Sequence, residues 1–222
     1  MTKEVKIEGL LDLSKTIATA LFHGKTYPWE VLGEISSFIE ALGPQLPADE
    51  YDSPAPGVWI AKDAKVFPSA YIGAPCIIDH EAEVRHCAFI RGSAIVGKKA
   101  VVGNSTELKN VVLFDNVQVP HYNYVGDSVL GYKAHMGAGS ITSNVKMDRT
   151  PIKVHAEELL NTNRKKFGAI LGDNVEVGCN SVLNPGTVVG SGALVYPLSS
   201  VRGVVPANAI YKDKDNIIEK KT

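Results

Sequence analysis

From Ile60 onward, aliphatic residues recur at every sixth position: Ile60, Val66, Ile72, Ile78, Val84, Ile90, Val96, Val102 and Leu108. The register then slips by one residue and resumes at Leu113, Val119 and Val125. It slips again to Leu130 and Met136 and meets a polar residue at Thr142. After a gap it returns at Leu171, Val177, Leu183, Val189, Val195 and Val201. A glycine often follows the aliphatic residue, as in Val96-Gly97, Val102-Gly103 and Val177-Gly178. A small residue often stands four places after it, as at Ala82, Ala94, Ala134 and Ser181. This period matches neither a helix, at about 3.6, nor one long strand, at about 2. It fits a short strand followed by a turn, three of which close a triangular coil. The aliphatic side chain fills the inside, the small residue packs inward where space tightens, and glycine relieves turns with unusual dihedrals. Stacked coils pair their strands in parallel and bury a continuous core. A β-sandwich with regular turns is the competing reading. The predicted class is mainly β, a parallel β-helix over residues 58–206.

Two stretches fall outside this register. Within residues 1–57, Leu10 to Phe22 carries apolar residues at helical spacing and stops at Gly24. Trp29 to Leu42 does the same, with Val31, Leu32, Ile35, Phe38, Ile39 and Leu42 on one side and a stop at Gly43-Pro44. A proline-rich linker, Leu46 to Gly57, leads to the first coil. The expected role of this α-helical segment is to cap the open end of the β-helix, whose strand edges would otherwise be exposed. The second stretch, residues 145–167, holds Lys146, Arg149, Lys153, Arg164, Lys165 and Lys166. It reads as an inserted loop, either solvated or closing on an anionic ligand. Residues 207–222 form a C-terminal tail.

Composition narrows the partners. The 222 residues are 45% hydrophobic with a net charge of -1, enough for one substantial core with an appendage. The near-zero charge offers no global basic field, so neither nucleic acid nor an anionic membrane is expected as a partner. Cys76, Cys87 and Cys179 form no CxxC pair and leave an odd count, which reads as reduced thiols. The first residues lack a signal-peptide core, and no apolar run is long enough to span a bilayer. A soluble, cytoplasmic protein is the expectation.

Four blocks between Phe89 and Asn144 carry chemistry. They are Phe89-Ile90-Arg91; Gly103 to Lys109, reading GNSTELK; His121 to Asp127, reading HYNYVGD; and Met136 to Asn144, reading MGAGSITSN. In sequence and ungapped spacing they resemble the acetyltransferase half of the bifunctional bacterial N-acetylglucosamine-1-phosphate uridyltransferase. That family has VGNFVEMK, HLTYLGD and IGAGTITCN at the corresponding places. The likeness continues more loosely from Leu171 to Lys212. It implies a left-handed β-helix and acetyl transfer from acetyl-CoA to the amine of a hexosamine 1-phosphate.

At matching positions the resemblance implies specific roles. His121 would be the general base, a task suited to imidazole, whose ordinary pKa lies near neutral pH. Glu107 would orient it, and the Ala138 backbone amide would stabilise the oxyanion. Arg91 and Lys109 would clamp the sugar phosphate with a planar fork and a point charge. Tyr124 would meet the same phosphate, and Asn144 would contact the substrate near its amine. The transfer requires neither a metal nor a covalent intermediate. Read on their own, His121 is a lone histidine after Val119-Pro120. Arg91, Glu107 and Lys109 are charges of a coil surface, and Tyr124 and Asn144 are a packing and a turn residue.

Several positions depart from the family. His135 stands where the family has an asparagine that contacts the sugar, which opens the identity of the acceptor. On the coenzyme A side, Cys179 replaces a serine, Tyr196 and Pro197 replace two small residues beside the pantetheine path, and Lys212 replaces an arginine. The other half of the family is not expected in these residues. A nucleotidyltransferase of this kind opens with a GxGTRM loop, and residues 1–57 contain none. A sugar-phosphate-binding sensor or scaffold without a coenzyme A site is therefore the alternative function. Zinc chemistry, known on other left-handed β-helices, would draw on His86, His121 and His135, which form no close pair. The resemblance also implies a homotrimer with sites between subunits.

Overall fold

A computed structural model describes residues 2–220. Met1, Lys221 and Thr222, counted above in the N-terminal segment and the tail, lie outside the described residues. From Val58 the chain winds as a left-handed parallel β-helix with three faces. The first face stacks Val58–Ala61, Cys76–Ile78, Ala94–Val96 and later strands to Val204–Val205. The second runs from Lys65–Val66 through Val101–Asn104, Gln118–His121 and His135–Met136 to Ala209–Asp213. The third runs from Tyr71–Ile72 through Phe89–Ile90 and Ile141–Thr142 to Ser200–Val201. Two long strands, Glu107–Leu113 and Tyr124–Leu130, pass from the third face into the first without a break. Both register slips, Leu108 to Leu113 and Val125 to Leu130, fall at that corner, where one residue fewer turns the chain.

The six-residue rule is a rule about the inside. From Ile78 to Val201 the register residues are buried, while Ile60, Val66 and Ile72 of the first coil are only partly covered because the stack ends there. Thr142 breaks the rule for a reason. The inserted segment leaves the stack just after it, and regular ladder partners are lost. Its hydroxyl accepts from Gly126 N at 2.9 Å and from Ser128 Oγ at 3.2 Å, and Ser128 Oγ accepts from Ala169 N at 3.0 Å. A buried amide without an acceptor would cost about 1–3 kcal/mol, so hydroxyls replace aliphatics here.

The glycines differ from expectation. Most left-handed corner residues are not glycine: Cys87, Ser93, Ser105, Asn110, Tyr122 and Asp127 all have positive φ. The glycines after the aliphatic residues are instead required by contact between coils. A Cβ at Gly103 would lie 1.6 Å from Pro120 O, and one at Gly178 would lie 2.4 Å from Pro197 N.

The N-terminal segment does not sit over the end of the stack. Hydrogen bonds trace it along the first face: Asp173 N to Leu10 O at 2.9 Å, Asp115 N to Lys15 O at 3.0 Å, and Asn110 Nδ2 to Leu32 O at 2.9 Å. Only Tyr51–Ala55 serves the edge, pairing antiparallel with Val58–Ala61. The reason lies in the outward residues of the first face. Ile77, Ile95, Val112, Val129, Ile170 and Val188 are aliphatic as well, and all are fully buried. The segment covers them with Phe22, Trp29, Val31, Leu32, Ile35 and Ile39. Its helicity is also less regular than the spacing suggests. Ile35–Leu42 is α-helical, but Leu13–Lys15 and Thr19–Phe22 are isolated 3-10 turns.

The remaining pieces are more ordered than their charge predicted. The insertion forms an antiparallel hairpin, Ile152–His155 with Leu159–Arg164, anchored by buried Ile152, Val154 and Phe167. The C-terminal tail folds Ala209–Asp213 back on Asn216–Glu219 and finishes the second face.

Candidate functional site

The outward positions of the third face stack in register as Tyr71, Phe89, Glu107, Tyr124 and Ile141. Parallel pairing sets successive members about 4.8 Å apart. Arg91 projects from the coil beside Glu107, and its Nη1 donates to Glu107 Oε1 at 2.9 Å. That hydrogen bond raises the pKa of the guanidinium, which is in any case charged. Lys109 Nζ donates to both oxygens of Asp127, at 2.9 and 3.1 Å. Asn144 Nδ2 lies 2.6 Å from Asp127 Oδ2 and 3.2 Å from the Tyr124 hydroxyl. Burial, followed by the charges of Asp127 and Glu107, raises the Tyr124 pKa, so the phenol stays protonated and able to donate. Arg91 and Glu107 thus lie on the same face as a cluster of Lys109, Tyr124 and Asn144 gathered around Asp127.

Asp127 organises that cluster, and sequence reasoning assigned it no role. Its side chain is only 3% exposed, and it also accepts from Asn110 Nδ2 at 2.9 Å. A signal was present. Asn110, Asp127 and Asn144 recur at intervals of one tightened coil and share one corner.

His121 stands at a different corner, between the second and third faces. It ends the strand Gln118–His121 and is exposed. Its carbonyl accepts from Gly139 N at 3.0 Å, which ties it to the next coil. Among the described residues no hydrogen bond joins the Glu107 carboxylate to the His121 ring. Glu107 leans out of the third face toward Arg91, whereas His121 pairs in register with Asn104 on the second. Ala138 occupies the coil after His121 at the same corner. Among the described residues no acceptor meets its N–H, while its carbonyl accepts from Asn180 N at 2.8 Å.

The remaining positions of interest continue along this edge. Leu198 N donates to Cys179 O at 2.9 Å, which sets Cys179 beside Pro197 and Leu198. Cys179 is exposed, and Tyr196 is 46% exposed with Lys212 Nζ 5.7 Å from its ring centre. Pro197 beside it is exposed as well. His135 lies elsewhere. It faces outward on the second face, with Nδ1 2.7 Å from Glu176 Oε2, away from the Arg91 cluster. His86 contacts Ser69 Oγ at 3.0 Å, so His86, His121 and His135 are not gathered. Among the described residues no group of three His, Cys, Asp or Glu side chains is placed to hold a metal ion. No helix among them is long and apolar enough to cross a membrane.

Comparison with known proteins agrees with this architecture. The bifunctional protein GlmU of Methanococcus maripaludis strain C7 is 34% identical over 119 residues, covering 53% of this chain and 29% of that protein. A bifunctional sugar-1-phosphate nucleotidylyltransferase/acetyltransferase of Sulfurisphaera tokodaii is 33% identical over 109 residues, covering 49% and 27%. The chain thus spans less than a third of the length of these relatives. The crystal structure of the polySia-specific acetyltransferase NeuO shares the fold, with a TM-score of 0.52 at 16% identity over 71% of this chain and 80% of that one. The model of the GMPPB C-terminal domain matches residues 72–195, more than half of the 222 residues and all of the site cluster up to Asn144, and the chain belongs to that family.

Proposed function

We propose that this protein is a hexapeptide-repeat acyltransferase. It moves an acetyl group from acetyl-CoA to the amine of an amino sugar phosphorylated at its anomeric carbon, of which glucosamine 1-phosphate is the simplest. One observation carries the reading: His121 and the unengaged Ala138 amide lie at one corner on successive coils, beside the face that carries Arg91, Lys109 and Tyr124. Similarity to the bifunctional sugar-1-phosphate nucleotidylyltransferase/acetyltransferase of Sulfurisphaera tokodaii supports it.

The chemistry is a simple acyl transfer. The sugar amine attacks the thioester carbonyl as His121 takes its proton, and the tetrahedral oxyanion accepts from the Ala138 N–H. Collapse breaks the C–S bond, and the thiolate leaves with the proton from the imidazolium. Arg91, Lys109 and the protonated Tyr124 hold the phosphate. Asn144 and His135 contact the sugar. Cys179, Tyr196, Pro197 and Lys212 flank the coenzyme along the exposed edge. His135 and Arg91 lie on different faces, and this supports a homotrimer in which facing surfaces of two subunits complete each site. The cytoplasm, where acetyl-CoA is available, is its place of action.

The test is thiol release from acetyl-CoA in the presence of glucosamine 1-phosphate. Wild type turns over, and His121→Ala loses about 10²–10⁴-fold in kcat, the usual worth of a general base. Calorimetric binding of the sugar phosphate with no binding of acetyl-CoA would overturn the enzyme reading in favour of a sugar-phosphate sensor.

A further inference from the structure

The flanking segment reaches the Asp127 cluster from one short turn, Pro28–Gly33. The turn is stiff. Pro28 fixes its first dihedral, and the Glu30 carboxylate accepts from Thr26 N and Tyr27 N, both at 2.7 Å. Tyr27 and Trp29 stack with ring centres 4.6 Å apart. Two routes lead from this turn to the cluster. In the first, Asn110 Nδ2 donates to Leu32 O and to Asp127 Oδ1, both at 2.9 Å. In the second, Trp29 packs on Phe167 with ring centres 5.8 Å apart, and Phe167 N donates to Asn144 O at 3.0 Å. Lys109, Asn110 and Asn144 are the side chains that donate to the Asp127 carboxylate. Among these three, only Asn110 also reaches back to the flanking segment. Asn110 and Asp127 both turn their corner with positive φ, 56° and 47°, which asparagine and aspartate tolerate.

We infer that Asn110 is a positioning residue for the acceptor site and that the Pro28–Gly33 turn of the flanking segment sets it. This rests on the reading that Lys109, Tyr124 and Asn144 hold the amino-sugar phosphate. A side-chain amide with both hydrogens engaged cannot rotate without breaking one bond. Leu32 O therefore fixes the plane of the Asn110 amide, and the amide fixes the rotation of the nearly buried Asp127 carboxylate. A fixed carboxylate aims Lys109, which meets both of its oxygens, and Asn144, which meets one. The flanking segment thus has a second task besides covering the first face. It is the back wall against which the acceptor side of the site is held.

Steady-state kinetics of the full chain with acetyl-CoA and glucosamine 1-phosphate test the proposal. Asn110→Gly keeps the left-handed backbone and removes the amide. It raises the KM for the sugar phosphate about tenfold, with kcat changed less than about threefold and the acetyl-CoA KM less than about twofold. Trp29→Phe thins the packing of the turn on Phe167. It moves the sugar-phosphate KM in the same direction by about twofold to threefold, and it carries the test if Asn110→Gly fails to fold. A residue that only supports folding would lower the amount of active enzyme, read as a fall in kcat with both KM values kept. That outcome, or a sugar-phosphate KM unchanged in both variants, overturns the proposal. A second readout needs no turnover. In wild type, Lys109, which is 29% exposed and held by two carboxylate oxygens, is labelled by trinitrobenzenesulfonate more slowly than Lys214, which is 83% exposed. Asn110→Gly speeds Lys109 relative to Lys214 at least about threefold. If wild type releases no thiol, the acyl-transfer reading fails and the labelling decides separately. A faster Lys109 then keeps Asn110 as the residue that positions it, and an unchanged rate sinks that role as well.

Discussion

The first and third faces of the β-helix are built on the same inward residues and differ in what they turn outward. On the first face the strands read Cys76-Ile77-Ile78, Ala94-Ile95-Val96 and Val111-Val112-Leu113, apolar on both sides and wholly buried. On the third they read Phe89-Ile90, Glu107-Leu108 and Tyr124-Val125, with only the second residue of each pair fully buried. A strand buried on both sides loses alternation, while a strand with one wet side keeps it. The six-residue period thus makes a coil, and the one outward residue per strand decides whether a face is a packing surface or a chemical one. Each covered aliphatic on the first face contributes about 1.5–3 kcal/mol relative to exposure, which is why a chain with a solenoid core still invests more than forty residues in a flanking segment.

Disrupting the covered side sharpens the contrast most. Phe114 directly follows the strand Glu107–Leu113 and meets Phe22 of the flanking segment edge-on at 5.6 Å. Phe114→Ala costs about 3–5 kcal/mol, read as a lower urea midpoint with the slope retained. A loss below about 1 kcal/mol would mean that this corner does not hold the segment in place.

The next largest effect grades the third face by burial. Lys109→Met leaves the nearly buried Asp127 carboxylate with amide donors alone and destabilises by about 3 kcal/mol, the low end for a broken buried pair because Lys109 is 29% exposed. Arg91→Met breaks a pair whose partners are 48% and 33% exposed and leaves thermal stability nearly unchanged. Equal thermal shifts for the two variants would show that Asp127 does not organise the face.

The smallest effect concerns the join between the two regions. His80 contacts Asp63 at 3.0 Å and Glu50 at 3.3 Å, linking the first coils to the end of the flanking segment. Burial favours the neutral ring, but the hydrogen bond and charge of Asp63, with Asp79 and Glu50, outweigh it and raise the His80 pKa. A raised folded pKa contributes stability that is complete below the ordinary value of about 6.5 and fades as pH rises through the folded value. His80→Gln therefore lowers Tm by about 1–3 °C at about pH 6 and by nothing at about pH 9. The same loss at both pH values would show that the charged ring contributes nothing.

Much of the site was legible because it repeats. Arg91, Lys109, Tyr124 and Asn144 stand at spacings that the coil brings onto one face, where Arg91 pairs with Glu107, Lys109 and Asn144 meet on Asp127, and Asn144 reaches Tyr124. What the spacing did not reveal was the partner of each group. Glu107 was assigned to orient His121, and its pairing with Arg91 was not foreseen. Asp127 was visible within HYNYVGD but had no role until its burial was known. Arg164 was one charge in a loop read as either solvated or closing on an anion, and the hairpin's anchoring by Ile152 and Val154 sets it beside a cavity.

The six-residue period by itself determined the coil, its inward residues and the point at which the insertion leaves it, because a repeat that fills its own interior needs only local geometry and its neighbouring coil. Tertiary structure alone decided what covers the outside. The N-terminal segment lies along the first face instead of across the open end, since a continuous aliphatic stripe on that face offers far more area to bury than one strand edge.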